Sequence, residues 1–220
     1  MSDKARTMTR PQSRLIHARF SESADGPRLI ALHRQNAFVD SMRELAIAAN
    51  PTGSSTGVES SKGYYVGRNI LGYTWFVGPL KQPSPVHFGD SLMQLEEFVL
   101  DEIDRQQAAS PAAPFLLGEE QGGAMALALG AANPDLLSGI VAIDGWFPDV
   151  PGWDPPLAPL NGLPILLINP ENGESLQDRL TAWGASVTIA GGASDDRASI
   201  IAAWVQHQPT RIAPTADSER

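Results

Sequence analysis

From Ser13 to about His207 the chain alternates short apolar runs with amphipathic stretches, which predicts strands alternating with helices. "SRLIHARF" (Ser13–Phe20) reads as a pairing strand and "RLIALH" (Arg28–His33) as a buried one, with the turn "ADGP" between them. In "AFVDSMRELAIAAN" the residues Phe38, Met42, Leu45, Ala46 and Ala49 recur at helical spacing, and Asn50-Pro51 ends the helix. "HFGDSLMQLEEFVLDEIDRQ" places Phe88, Leu92, Leu95, Phe98 or Val99, and Ile103 on one stripe of a second helix. "PFLLG", "SGIVAID" and "LPILLIN" are short apolar runs with the look of parallel strands buried on both faces, and "SVTIAG" is the last strand. The remaining helices are "GGAMALALGAAN", "ESLQDRLTAWG" and "DRASIIAAWVQ". The pattern predicts an α/β protein, a mostly parallel central sheet flanked by helices on both faces.

One stretch breaks the rhythm. "PTGSSTGVESSKGYYVGRNILGYTWFVG" is rich in Gly and Ser and reads as a long loop, whose aromatics Tyr73, Trp75 and Phe76 suit one wall of a binding site. Residues 1–12 and 208–220 lack apolar periodicity and read as flexible tails around one domain, 13–207.

Composition narrows the function classes. With 220 residues and 42% hydrophobic content, the chain can bury one sizeable core. A net charge of −9 disfavours an electrostatic grip on nucleic acid or anionic lipid, leaving a small-molecule ligand or a protein partner. There is no cysteine, so disulfides and thiolate chemistry are excluded. The absence of a long apolar segment and of a signal-like N-terminus leads us to expect no membrane span and a cytoplasmic location.

The candidate chemistry lies at "FLLGEEQGGAMALAL", a strand, a glycine-flanked turn and a small-residue helix. Gly118, Gly122 and Gly123 permit the close approach that a sharp strand-to-helix turn needs. Together with "LIALHRQNAFVDSMRELA", "GYTWF", "HFGDSLMQLEEFV" and "ANPDLLSGIVAIDGWFP", this turn resembles the phospholipase/carboxylesterase branch of the α/β-hydrolase superfamily over roughly residues 28–205. The resemblance implies an α/β-hydrolase fold. It also implies a nucleophilic Ser at the turn, yet Glu120 stands there, with Glu119 before it and Gln121 after it. Gly173 falls where the resemblance implies an Asp, Ala193 where it implies a His, and Arg34 where it implies the Gly of the oxyanion side.

A serine hydroxyl attacks only when a His takes its proton and a carboxylate orients that His. These substitutions therefore predict a protein that is not a Ser-His-Asp hydrolase, a degenerate site in a retained fold that binds a small molecule or a protein. An Arg34–Glu120 ion pair would plug the old pocket. Trp75, Phe76, His87 and Trp146, with Arg34, Glu119 and Gln121, form the expected binding set. The alternative is an enzyme in which Glu120 is a carboxylate nucleophile or base, served by His33 or His87, with Asp144 orienting that His. Glu119, Glu120, Asp144 and Glu171 with His33 also offer oxygen and imidazole donors. No metal-binding spacing accompanies them, so no metal and no cofactor is assigned.

Overall fold

The computed structural model describes residues 13–23, 25–106 and 111–214. Its main sheet is built from β1 (His17–Ser21), β2 (Arg28–Leu32), β3 (Ser54–Val58), β6 (Phe115–Glu119), β7 (Gly139–Ile143), β8 (Pro164–Ile168) and β9 (Ser186–Ala190). A separate hairpin consists of β4 (Lys62–Val66) and β5 (Asn69–Thr74). The order across the sheet is β1-β3-β2-β6-β7-β8-β9, parallel throughout except that β1 runs antiparallel to β3.

The side-chain period of two divides this sheet into two apolar faces. Ile30, Leu32, Leu116, Ile140, Ile165 and Leu167 belong to one core with α2 (Pro85–Gln106), α3 (Gln121–Ala132) and α4 (Gly173–Ala182). Leu29, Ala31, Leu117, Val141, Ile143, Leu166 and Ile168 belong to the other, with α1 (Arg43–Ala49) and α5 (Ser194–Gln206). Helix α3 is apolar around its whole circumference and is buried along its length, with Asn133 at its C-terminal end. Among the described residues no helix is long and apolar enough to cross a membrane.

The Gly/Ser-rich stretch is not a long loop. It supplies β3, inserted between β1 and β2, and both strands of the hairpin. Its residues "SSTGV" are buried because they are small: Ser55 Oγ donates to the Ala46 carbonyl at 3.1 Å, and the Phe20 ring occupies the space a side chain at position 57 would need. The expected C-terminal tail also begins later than the sequence suggests. The Ala113 N–H donates to the Arg211 carbonyl and the Ala213 N–H to the Pro111 carbonyl, so residues up to 214 lie along 111–113. The expected tails over 1–12 and 215–220 lie outside the described residues.

Candidate active site at the strand-to-helix elbow

Three neighbouring strands end in the same way. Glu120 after β6, Asp144 after β7 and Asn169 after β8 have φ of 49°, 49° and 47°, a region that L side chains rarely occupy. Each still donates its N–H to the last carbonyl of the next strand: Glu120 to Ile143 at 2.9 Å, Asp144 to Ile168 at 2.9 Å and Asn169 to Ala190 at 3.1 Å. The chain thus leaves the sheet abruptly while the ladder gains one more rung, and three polar side chains are set along the C-terminal edge. Open α/β sheets bind their ligands at this edge.

The elbow is the tightest of the three turns. A Cβ at Gly118 would lie 2.2 Å from Gly122, and one at Gly122 would lie 2.3 Å from the Leu32 carbonyl oxygen, so neither position admits a side chain. Glu120 itself, with ψ of −111°, lies outside the left-handed helical well and carries backbone strain. Its carbonyl accepts the Ala124 N–H at 2.9 Å, and its carboxylate makes no side-chain cap.

Solved structures with this architecture include a carboxylesterase from Bacillus cereus, matched with a TM-score of 0.72 at 18% identity over 88% of this chain and 94% of that one. A carboxylesterase from Mesorhizobium loti gives 0.70 at 18% identity, over 84% and 90% of the two chains. A phospholipase/carboxylesterase from Dyadobacter fermentans gives 0.64 at 14% identity, over 90% and 99%. The fold is that of the α/β-hydrolases. At such identities the likeness speaks for architecture alone. No protein-family model matches the chain, nor does any curated protein sequence.

Within this α/β-hydrolase fold, Glu119, Glu120 and Asp144 come together at the sheet edge, but the cation that meets them is not Arg34. Arg197, from the first turn of α5, places Nη2 2.9 Å from Asp144 Oδ2 and Nη1 3.6 Å from Glu119 Oε1. Arg34 is exposed, and among the described residues it forms no ion pair with Glu120; its charge acts instead on Glu119. Burial pushes the Glu119 carboxyl above its ordinary value. Arg34 and Arg197 oppose that rise, while Glu120 and Asp144 add to it.

His33 is close in sequence to the elbow's neighbouring strand end, yet it is not a free base. The ring is fully buried and stacked on Trp75 at 5.3 Å. Its Nε2 accepts the Ser60 N–H at 3.1 Å, which leaves the proton on Nδ1 to be donated to the Arg34 carbonyl at 2.7 Å. Burial lowers its pKa to about 4, the Arg34 carbonyl partly offsetting the fall. Both ring nitrogens of His33, the residue expected to serve Glu120 as a base, are thus hydrogen-bonded to backbone. His87, near the start of α2, has a buried Nδ1 without a hydrogen-bond partner among the described residues. Among the described residues, none of the four histidines pairs with a carboxylate.

The expected pocket wall is core. Trp75 and Phe76 are fully buried, and Trp75 Nε1 donates to the His33 carbonyl at 2.9 Å. Gln121 is buried too and acts as a staple. Its Oε1 accepts the Thr74 hydroxyl at 2.7 Å and the Trp75 N–H at 3.0 Å, while Nε2 donates to the Phe76 carbonyl at 3.1 Å. Trp146 borders a groove of about 160 Å³ shared with Lys81, Phe147 and Arg179, whose lining does not include Glu119, Glu120 or Asp144. Glu171 lines that groove and pairs with Lys81 at 2.7 Å rather than joining the elbow carboxylates. Among the described residues no group of three or more His, Asp or Glu is gathered closely enough to hold a metal ion.

Two residues of the edge carry no signal in the sequence. Arg197 is one of several arginines on exposed-looking helix turns, and only the packing of α5 aims it at Asp144. Asn169 closes the loops after β8 and β9 by exchanging two hydrogen bonds with Gly192, Nδ2 to the carbonyl at 3.1 Å and Oδ1 from the N–H at 3.2 Å.

Proposed function

We propose that this chain is a non-catalytic member of the α/β-hydrolase fold, a binding or interaction protein built on a carboxylesterase-like scaffold whose elbow no longer performs acyl transfer. The observation that carries this reading is the state of His33. Hydrolysis through any elbow nucleophile needs a base that can take and return a proton. The one histidine beside the elbow strand is held neutral with both nitrogens engaged by backbone. The ion pairing of Asp144 and Glu119 with Arg197 supports the same reading, because carboxylates committed to a guanidinium are poor orienting groups for an imidazole.

One observation favours the rival in which Glu120 attacks substrate. The elbow keeps a strained backbone at a residue that is not glycine, and strain of about 1–3 kcal/mol persists only where something maintains it. Both readings are tested by incubating the protein with activated esters, alkyl halides and epoxides, then following turnover and peptide mass for wild type, Glu120→Gln and Arg197→Ala. The proposal expects no turnover by any of the three. Turnover by the wild type that Glu120→Gln abolishes, with a covalent adduct mapped to Glu120, would replace it with carboxylate-nucleophile catalysis.

A further inference from the structure

The opposite, N-terminal edge of the sheet holds a buried cation whose hydrogen-bonding capacity is largely unused. Arg28 opens β2 and is only 7% exposed. Its Nη1 donates to the Glu102 carbonyl at 3.2 Å, but Nε and Nη2 are buried without a hydrogen-bond partner among the described residues. The Glu102 carboxylate is already engaged. Arg19 lies 3.3 Å from it, Arg105 pairs with it, and Gln106 donates to it at 3.3 Å. Burial lowers the Arg28 pKa from its ordinary value against the opposing field of Glu102, and an arginine still keeps its proton in proteins. Sealing charged N–H groups away from every acceptor is costly, and native structures seldom do so without a reason.

Arg28 also lines a partly open cavity of about 310 Å³ bordered by the starts of β2, β6 and β7 and the end of α5. Phe115 and Val205 give this cavity apolar wall, Ser138, Gln206 and Thr210 give it polar rim, and Asp25 is the carboxylate in its lining. The Ser138 hydroxyl is committed as a donor to the Ala113 carbonyl at 2.7 Å. A second orphan lies on the adjoining segment: Arg211, whose carbonyl accepts the Ala113 N–H, has a buried Nη1 with no partner among the described residues, while its Nη2 lies 3.5 Å from Asp135. A volume near 300 Å³ is at the lower end of the range for small-molecule sites. A guanidinium with two unused N–H groups has the donor pattern that the paired oxygens of a carboxylate or a phosphate accept.

We propose that this floor cavity is a binding site for a small oxyanion, the carboxylate or phosphate group of a metabolite, received by Arg28. The site is remote in the fold from the elbow and stands whether or not the elbow is catalytic. It is tested by titrating the isotope-labelled protein with inorganic phosphate and, separately, with succinate while following backbone amide shifts. Saturable shifts are expected at Arg28, Ala113 and Ser138 with at least one of the two anions. They should be lost in Arg28→Met, which keeps the volume of the side chain, and weakened severalfold in Gln206→Glu, an exposed rim change that spares the core. If Arg28→Met fails to fold, the Gln206→Glu comparison decides. The absence of saturable shifts with both anions, shifts centred on Arg34 and Arg197, or undiminished binding in the variants would overturn the proposal.

Discussion

The elbow after β6 and the loops after β8 and β9 share one sheet edge, and Glu120 and Asn169 both bond through backbone to the next strand, but the loops add side-chain fastenings of their own. The elbow is held by backbone. Gly118 and Gly122 allow strands and helix to touch, the Glu120 N–H bonds to Ile143, and the Glu120 side chain takes no part in fixing the turn. The loops are held by side chains as well, Asn169 across to Gly192 and Arg197 across to Asp144 and Glu119. A turn fixed by backbone contacts survives a change of the residue at its tip. Side chains that fasten loops are occupied, and on our reading they are no longer free for chemistry.

The largest effect should come from cutting a side-chain fastening in the core. Gln121→Leu leaves the Trp75 N–H buried and unpaired, and takes one partner each from the Thr74 hydroxyl and the Phe76 carbonyl, which keep only their mutual bond at 3.1 Å; the orphaned donor costs about 1–3 kcal/mol and each lost bond about 1 kcal/mol more. Urea unfolding should show a loss of about 4 kcal/mol; a loss below about 1 kcal/mol would mean that the staple is dispensable. Next comes acid. Because His33 has a folded pKa of about 4 against 6.5 for the free side chain, the unfolded chain binds the extra proton first. Stability is therefore fully present above the free value and falls as pH drops from 6.5 towards about 4. That fall is worth about 3 kcal/mol, and unfolding curves for wild type and His33→Gln should differ in their pH slope across this window.

A smaller contrast addresses the comparison itself. Asn169→Ala removes two hydrogen bonds and leaves a side chain at positive φ, so it should destabilise by about 1–2 kcal/mol. Glu120→Gly should act in the other direction, gaining up to about 1 kcal/mol by relieving the strained backbone. If thermal unfolding showed both changes to be destabilising to the same extent, the two halves of the edge would not be held differently after all.

Much of this architecture was legible because apolar runs bounded by glycine and polar turns mark β2 and β6 to β9, and a strong stripe marks α2. The glycines of the elbow carried their meaning openly, since only a close backbone approach requires Gly118 and Gly122 together. Strand β3 was hidden because Ser54, Ser55, Thr56 and Gly57 are buried for their size rather than for their apolarity. Trp75 and Phe76 were misplaced for a related reason. An aromatic residue in a polar stretch suits a pocket wall as well as a core, and only the bonds of Gln121 and His33 draw these two inward. The fate of His33 depends on Ser60, a contact across 27 positions that no local pattern announces. Arg197 depends on the docking of a whole helix.

The most direct test of the central claim is the ionisation of His33, read from its imidazole nitrogens by NMR between pH 8 and pH 4. Our account predicts a neutral ring protonated on Nδ1 through the neutral range, titrating only near the low end, about 4. A ring protonated on Nε2, or one that titrates between pH 6 and 7, would free His33 to act as a base and contradict the account.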